Sequence, residues 1–213
     1  MVITGGGTGI GAETARCFAE AGASRIALLG RREQPLFDTK ASIQEKFPKV
    51  EVVVASADIT KQSEVHAAFA KFAGDGKIHV LVSNAAMVGP QEPVRDVNAD
   101  KFVESVHQNI RGSFLVAQVF LRHASPNAVA IEISVASAHL NIAPGLASYS
   151  VAKLAIFRLW DSLAIGNPEI SVFHLQPGIV DTAVNKEVGG IANMGFEDNG
   201  KFNNRLLSRM PYA

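Results

Sequence analysis

The chain of 213 residues contains 47% hydrophobic residues, enough to form a sizeable core in one domain of ordinary length. Its 20 basic and 20 acidic residues balance, so it lacks the excess positive charge that is typical of nucleic-acid-binding proteins. We therefore expect no nucleic-acid partner.

The single cysteine, Cys17, cannot form a disulfide within the chain, which fits a reducing compartment. The N-terminal sequence MVITGGG lacks the basic and apolar regions of a secretory signal, and no apolar run approaches the roughly 18 residues of a membrane-spanning helix. The histidines show no HxxxH spacing, and the chain contains no CxxC. We expect a cytoplasmic protein with no membrane association and no metal site.

Apolar segments rich in β-branched residues alternate with longer segments of helical periodicity. Continuous apolar segments are typical of parallel strands, and parallel strands need crossover helices between them. The pattern therefore predicts a doubly wound, Rossmann-like α/β fold with three α/β/α layers. The predicted strands are residues 1–4, 25–29, 50–57, 78–84, 128–134 and 170–177, and the predicted helices are residues 11–22, 33–47, 61–73, 99–123 and 148–163.

The segment TGGGTGIG, residues 4–11, lies between the first predicted strand and the first predicted helix. Free backbone N–H groups and the positive end of the helix dipole favour a phosphate at such a junction, and glycines allow a close approach. The motif predicts a nucleotide-binding loop, with an ordinary glycine-rich turn as the alternative. Gly5, Gly9 and Gly11 have the spacing GxxxGxG, which differs from the commoner GxGxxG.

The segment ASYSVAK places Tyr149 and Lys153 four residues apart, on one face of a predicted helix. A free phenol has a pKa of about 10 and is a poor acid–base group at neutral pH unless its phenolate is stabilised. A nearby ammonium group provides that stabilisation. The pair is therefore a candidate acid–base site, with an ordinary packing pair as the alternative.

Together, the glycine spacing and the YxxxK motif resemble the short-chain dehydrogenase/reductase family, from residue 2 to about residue 182. Four further motifs support this resemblance. The family's Asn-Ala-Gly sequence resembles Asn84-Ala85-Ala86, its helix asparagine resembles Asn109, its adenine-contacting aspartate resembles Asp58, and its Pro-Gly turn resembles Pro177-Gly178, followed by Thr182. Taken singly, Asn84 would also fit a strand-end cap, Asp58 a helix N-cap and Pro177-Gly178 a plain turn.

The resemblance implies an oxidoreductase that transfers a hydride between a nicotinamide cofactor and a small to medium carbonyl or secondary alcohol. Tyr149 would exchange a proton with the substrate oxygen, and Lys153 would support the phenolate and hold the ribose hydroxyls. Asn109 would position a water that links Lys153 to solvent. The implied cofactor-binding residues are Thr4, Gly5, Thr8, Gly9, Ile10, Gly11, Arg31, Asp58, Asn84, Ala85, Tyr149, Lys153, Pro177, Gly178 and Thr182.

The end of the second strand indicates which cofactor is preferred. Sites for NAD usually carry an acidic residue there, which holds the ribose 2′-hydroxyl. In this chain Gly30 occupies that position and Arg31 follows, with a guanidinium group that suits a 2′-phosphate. We therefore expect NADPH to be preferred over NADH; the alternative is that Arg31 and Arg32 merely begin a solvated helix.

The catalytic serine departs from the family pattern, which places it about 13 residues before the tyrosine; here that position is Ala136. Ser134 lies 15 residues before Tyr149 and Ser137 lies 12 before it, while Val135 occupies the usual position if the loop is one residue longer. We assign the role to Ser137 because its offset is closest.

We interpret the chain as one domain, with residues 1–182 as the dinucleotide-binding catalytic region and residues 183–213 as either a substrate lid or a frayed tail. From the resemblance we expect the last helix and seventh strand of the relatives to be missing, which would weaken any homo-oligomer. The pattern of apolar side chains near the crevice hints at a modestly hydrophobic substrate, and His139 is a pocket or a packing residue. These apolar side chains are Met87, Val88, Leu140, Ile142 and Met194.

Two other functions fit parts of the sequence. The displaced serine and early C-terminus also suit a non-catalytic NADP(H)-binding protein, which would serve as a sensor or be a truncated pseudoenzyme. An epimerase or dehydratase of the extended relatives fits less well, because their glycine spacing differs. The retained Tyr149, Lys153 and Asn109 favour the enzyme.

Overall fold

The computed structural model describes residues 1–74, 76–140, 145–178, 180 and 182. Strands and helices alternate along this part of the chain, which confirms the predicted α/β fold. The strands are β1 (Val2–Thr4), β2 (Arg25–Gly30), β3 (Glu51–Ser56), β4 (Ile78–Ser83), β5 (Ala124–Ile133) and β6 (Ser171–Leu175). The helices are α1 (Gly9–Glu20), α2 (Glu33–Lys46), α3 (Gln62–Ala73), α4 (Ala99–His123) and α5 (Ala147–Gly166), with a short 3-10 helix at Ala136–Ala138.

The strands form one parallel sheet in the order β3-β2-β1-β4-β5-β6. From β1 the chain first builds outward through β2 and β3, and it then crosses to the other side of β1 to add β4, β5 and β6. The loops that follow β1 and β4 therefore leave the sheet in opposite directions. In open α/β sheets such a switch point creates the crevice in which ligands bind.

The core lies on both faces of this sheet, because successive strand residues point to opposite sides. Val2 belongs to the core cluster that also contains Phe69 of α3 and Trp160 of α5. Its neighbour Ile3 belongs to the second cluster, which contains Leu36 of α2. Helices thus cover the sheet on both sides, and the expected three layers are present.

Two strand boundaries differ from the sequence prediction by more than one residue. β5 begins at residue 124 rather than 128, because α4 passes directly into the strand and the pairing with β4 shifts between Ile78 and Val80. Asn127 has a φ of 60° within this irregular stretch. β6 ends at Leu175, two residues before the predicted end at Pro177, whose ring nitrogen has no N–H to donate to a strand partner.

The described residues include no seventh strand, and residues 183–213, for which a lid or a tail was expected, lie outside them. None of the helices in the described part of the chain combines the length and the apolar character needed to cross a membrane.

Candidate active site

The glycine-rich loop connects the end of β1 to the start of α1. Gly5 and Gly9 have φ values of 68° and 54°, a backbone region that side chains other than glycine rarely adopt. The first backbone N–H groups of α1 have no acceptor within the helix, and the helix dipole makes this end positive. The loop therefore has the conformation and the polarity of a phosphate-binding site.

Close packing also requires glycine at these positions. A Cβ on Gly5 would lie 2.7 Å from Nδ2 of Asn84, and a Cβ on Gly11 would lie equally close to that atom and overlap the carbonyl oxygen of Gly5. A Cβ on Gly9 would lie 3.1 Å from Cγ2 of Thr182. The structure thus brings together Asn84, Thr182 and three of the predicted glycines.

Asn84 and Ala85 fasten the end of β4 to the end of β1. Their backbone N–H groups donate to Oγ1 of Thr4 over 2.9 and 3.0 Å, and Nδ2 of Asn84 donates to the carbonyl oxygen of Thr4 over 2.9 Å. These bonds fit the alternative interpretation of Asn84 as a residue that secures a strand end. They also hold the two loops of the switch point at a fixed separation.

Asp58 follows β3, at the same edge of the sheet. Its Oδ1 accepts hydrogen bonds from the backbone N and Oγ1 of Thr60, over 2.9 and 2.8 Å. Burial opposes ionisation of Asp58, but the Thr60 bonds and the charge of Arg31 outweigh it and hold the pKa of Asp58 below its usual range. Lys61 is the N-cap of α3, so the alternative role of Asp58 as a helix N-cap is wrong.

Arg31 lies beside Asp58 because β2 and β3 are paired up to Gly30 and Ser56. The hydroxyl of Ser56 donates to the carbonyl oxygen of Arg31 over 3.0 Å. The side chain of Arg31 is exposed, and α2 begins only at Glu33. Arg31 thus belongs to the loop after β2 and is accessible to a ligand that lies along this edge.

Three other predicted cofactor residues lie on neighbouring segments. Thr8 is the exposed N-cap of α1, and Ile10, in the first turn, packs against the second core cluster. Pro177 and Gly178 follow β6, and Gly178 has a φ of 76°.

Tyr149 and Lys153 lie in the first two turns of α5, as the sequence predicted. The helix is anchored by Trp160, which is fully buried and donates from Nε1 to Oγ of Ser113 in α4 over 3.0 Å. Lys153 is buried, and its Nζ donates to Oε1 of Glu132 over 2.7 Å and also to the carbonyl oxygen of Ile133. Both acceptors belong to the last residues of β5, so α5 is held at the carboxyl edge of the sheet.

The phenol of Tyr149 is protonated at neutral pH. Burial of the phenol, and secondarily the negative charge of Glu132, raise the pKa of Tyr149 from 10.0 to about 12. The sequence suggested that Lys153 would favour the phenolate. In the structure, the ammonium group of Lys153 is paired with Glu132, whose charge opposes that effect.

Glu132 and His174 were not identified from the sequence. Glu132 has no solvent exposure, and its Oε2 lies 3.0 Å from Nδ1 of His174 in β6. Nε2 of His174 lies 3.3 Å from Oδ1 of Asp161 in α5. The available signal was a carboxylate within the apolar strand AVAIEIS, since a buried charge is rare unless it is paired. No group of side chains among the described residues is arranged to hold a metal ion.

Both candidate serines are buried at the end of β5. The hydroxyls of Ser134 and Ser137 have no hydrogen-bond partner among the described residues. Ser137 lies on the short 3-10 helix that begins at Ala136, and Val135 precedes that helix. Either hydroxyl is therefore available to a ligand as far as its hydrogen bonding is concerned, and the choice of Ser137 remains a prediction.

Asn109 is buried in α4 and holds the segment after β4. Its Oδ1 accepts from the backbone N of Met87 over 3.0 Å, while its Nδ2 donates to the carbonyl oxygens of Met87 and Ser105, over 2.9 and 3.0 Å. Both amide hydrogens are therefore used within the protein, and a water could bind only at the remaining lone pair of Oδ1.

The apolar residues expected to line the substrate site have different environments. Val88 is buried, whereas Met87 and Leu140 are exposed. His139 packs edge-on against Phe157, with ring centroids 4.8 Å apart, which fits the packing interpretation. Ile142 and Met194 lie outside the described residues.

The comparisons with known proteins identify the family of this chain. The family model described as short chain dehydrogenase matches residues 1–190. The chain is 29% identical over 201 residues to a short chain dehydrogenase/reductase, AacuD, of Aspergillus aculeatus, covering 93% of this chain and 69% of that protein. It is 30% identical to carbonyl reductase [NADPH] 2 of Sus scrofa, covering 88% of this chain and 74% of that protein. Three further curated relatives are matched over only 40% to 62% of their length.

Among solved structures, NAD⁺-bound xylitol dehydrogenase matches with a TM-score of 0.81 and 27% identity, over 98% of this chain and 81% of that chain. Relatives with both cofactors in their names therefore share this fold. The chain belongs to the short-chain dehydrogenase/reductase family, whose members are oxidoreductases that bind nicotinamide cofactors.

Proposed function

We propose that the protein is an NADP(H)-dependent oxidoreductase that transfers a hydride between the nicotinamide cofactor and a small to medium carbonyl compound or secondary alcohol. The observation that carries the proposal is the meeting of two features at one edge of the sheet. The glycine loop lies against Asn84, after β4, and Lys153 of α5 contacts the end of β5, the strand next to β4.

The residues present fit the cofactor. The glycine loop is shaped as a cradle in which an added Cβ at Gly5 or Gly11 would collide with Asn84, and its helix N-terminus would hold the diphosphate. Asp58 would contact the adenine portion, while Thr182 lies against the loop at Gly9. When bound, the cofactor supplies the hydride acceptor or donor.

Tyr149 would act as the acid in carbonyl reduction, because its phenol carries a proton at neutral pH. Its O–H would donate to the substrate oxygen as negative charge develops there. Lys153 would hold the ribose hydroxyls and return a proton to Tyr149. Ser137 would donate a hydrogen bond to the substrate oxygen, and Asn109 would position a water that connects Lys153 to solvent.

Arg31 supports the preference for NADPH. Its exposed guanidinium lies beside Asp58, where the ribose end of the cofactor is expected, and no acidic side chain replaces Gly30 at the end of β2. The similarity to carbonyl reductase [NADPH] 2 favours the same cofactor and a carbonyl substrate. We also propose a cytoplasmic location and a catalytic domain that extends from residue 1 to 182, with residues 183–213 contributing to the substrate region.

One observation favours the second candidate, a non-catalytic NADP(H)-binding protein. Lys153 donates to Glu132 and to the carbonyl oxygen of Ile133, and this occupies much of the hydrogen-bonding capacity needed to bind ribose and support Tyr149. A protein that only senses or stores the cofactor would keep the glycine loop and tolerate this arrangement.

Turnover distinguishes the two candidates. We would follow oxidation of NADPH with a panel of ketones and aldehydes, using Tyr149→Phe as the test variant and Ser162→Ala, which removes an exposed hydroxyl from the same helix, as the control. An enzyme loses turnover in Tyr149→Phe while NADPH affinity stays within about twofold, and Ser162→Ala keeps turnover. Equal rates in the parent protein and Tyr149→Phe would overturn the assignment of Tyr149.

A further inference from the structure

A connected series of polar side chains links α5, β5 and β6. It consists of Glu132, Lys153, His174 and Asp161. Lys153 and Glu132 are joined over 2.7 Å, Glu132 and His174 over 3.0 Å, and His174 and Asp161 over 3.3 Å. Side-chain exposure rises along this series of residues. The side chains of Glu132 and Lys153 are 0% and 5% exposed, whereas those of His174 and Asp161 are 16% and 36% exposed. The cluster is therefore anchored in the core.

We propose that Glu132 is a positioning residue, which fixes the ammonium group of Lys153 and places a negative charge beside it, one helical turn along α5 from Tyr149. Removing that charge should therefore favour the phenolate of Tyr149, both directly and by leaving the ammonium group unpaired. The catalytic role of this ammonium group rests on the proposed function, whereas the electrostatic effect on Tyr149 does not.

The geometry explains how Glu132 is held in place. Each of its carboxylate oxygens has a separate partner, Oε1 with Lys153 and Oε2 with His174. The ring of His174 is itself fixed by stacking on Phe157, with centroids 3.9 Å apart, and by its contact with Asp161. A buried carboxylate with both oxygens engaged has little freedom to turn away from the lysine.

The charge of Glu132 acts on Tyr149 in a poorly solvated environment, where Coulomb interactions are strong. The pKa of Tyr149 is raised mainly by burial and additionally by Glu132. The positive charge of Lys153 is offset by the carboxylate of Glu132, to which its ammonium group is bonded. The titratable and charged groups packed around this region are Glu132 from β5, Lys153, Arg158 and Asp161 from α5, His174 from β6 and His139 from the segment after β5.

The direct test is the ultraviolet titration of the Tyr149 phenolate. The chain contains two tyrosines, so a Tyr212→Phe background leaves Tyr149 as the only phenol. In that background, Glu132→Gln keeps the shape and a hydrogen-bond acceptor for Lys153 but removes the charge. We expect the phenolate-to-phenol ratio at a fixed alkaline pH to rise at least about threefold, while the midpoint stays above 10.0 because burial, the larger cause, remains.

The matched control is Glu169→Gln, an exposed carboxylate just before β6, at the opposite end of the sheet. It should leave the Tyr149 titration unchanged. The fluorescence of Trp160, the single tryptophan, shows at each pH whether the protein is still folded, and ratios are compared only within that range. An unchanged or smaller phenolate ratio in folded Glu132→Gln would overturn the proposal.

A second comparison covers the case in which Glu132→Gln fails to fold because Lys153 loses its counter-charge. Lys153→Met and the double variant Glu132→Gln/Lys153→Met differ only in the charge of residue 132. We expect the double variant to show the larger phenolate fraction at the same pH; equal fractions would overturn the proposal. Neither titration uses a substrate, so a failure of the proposed function appears separately, as absence of turnover.

Discussion

Gly11 faces the side-chain amide of Asn84 so closely that a Cβ at residue 11 would lie 2.7 Å from Nδ2 and overlap the carbonyl oxygen of Gly5. The loop after β1 and the end of β4 are thus packed so closely that residue 11 has room for the hydrogen atom of glycine but not for a Cβ. Because Nδ2 of Asn84 also donates to the carbonyl oxygen of Thr4, this side chain cannot move away without breaking that hydrogen bond.

Gly11→Ala should therefore weaken NADPH binding at least about tenfold and reduce the free energy of unfolding by about 1 to 3 kcal/mol, the usual cost of overpacking. Fluorescence titration and urea unfolding measure the two effects. Gly166→Ala is the control, since a Cβ at this helix end would meet no atom within 4 Å. If Gly11→Ala bound NADPH as tightly as Gly166→Ala, the loop would not be the phosphate site.

Substitution of the two buried serines should reduce turnover to very different extents. If Ser137 donates to the substrate oxygen, Ser137→Ala should lower kcat by about 100-fold, the size of effect seen when one oxyanion donor is removed. Ser134→Ala should have an effect of less than about threefold, because that hydroxyl would be only a packing group. Each variant removes a buried hydroxyl that has no hydrogen-bond partner within the described part of the chain, so the difference between them reports function. A larger loss in Ser134→Ala, or equal small losses, would show that Ser137 is misassigned.

Tyr149 should make the folded protein sensitive to alkali. Its folded-state pKa of about 12 lies above its ordinary value of 10.0, so the unfolded chain loses this proton first as the pH rises. The contribution is fully present below pH 10 and is lost as the pH approaches 12, with a total of at most about 3 kcal/mol. Urea unfolding at several pH values should therefore show a steeper alkaline decline for the parent protein than for Tyr149→Phe. Parallel declines would contradict the raised pKa.

Arg31 should discriminate between the two cofactors. Arg31→Ser should lower affinity for NADPH about tenfold, the value of one charge-assisted hydrogen bond, and change affinity for NADH by less than about twofold. Arg32→Ser is the control, because Arg32 is also exposed and caps α2. The Arg31 effect should shrink as salt is added. If Arg31→Ser and Arg32→Ser lower the affinity for NADPH equally, that affinity depends on general positive charge rather than on a specific contact of Arg31.

The fold could be predicted because its signals are local. Continuous apolar strands such as RIALL and IHVLVSN alternate with helical segments, and crossovers between parallel strands have one favoured hand. The placement of Tyr149 and Lys153 on one helix face followed from their spacing alone. The early start of β5 was not predictable, because it depends on a register shift against β4 that spacing does not encode.

The partners of Lys153 could not be predicted for a similar reason. Glu132 and His174 meet because β5 pairs with β6 in a register that places these two residues side by side. Nothing in either segment alone specifies that register. The sequence did contain a charged residue, Glu132, inside an apolar strand, but it did not identify which basic side chains would pair with it. The choice between Ser134 and Ser137 likewise depends on loop geometry rather than on counting from Tyr149.

The central claim, an NADP(H)-dependent site at the switch point, is tested most directly by titrating the 213-residue chain with NADPH and with NADH while following nicotinamide fluorescence at fixed ionic strength. The account predicts saturable binding of both, with NADPH bound at least about tenfold more tightly because Arg31 contacts the 2′-phosphate. Tighter binding of NADH would contradict the role of Arg31. Binding of neither cofactor would contradict the claim that this chain forms a working cofactor site.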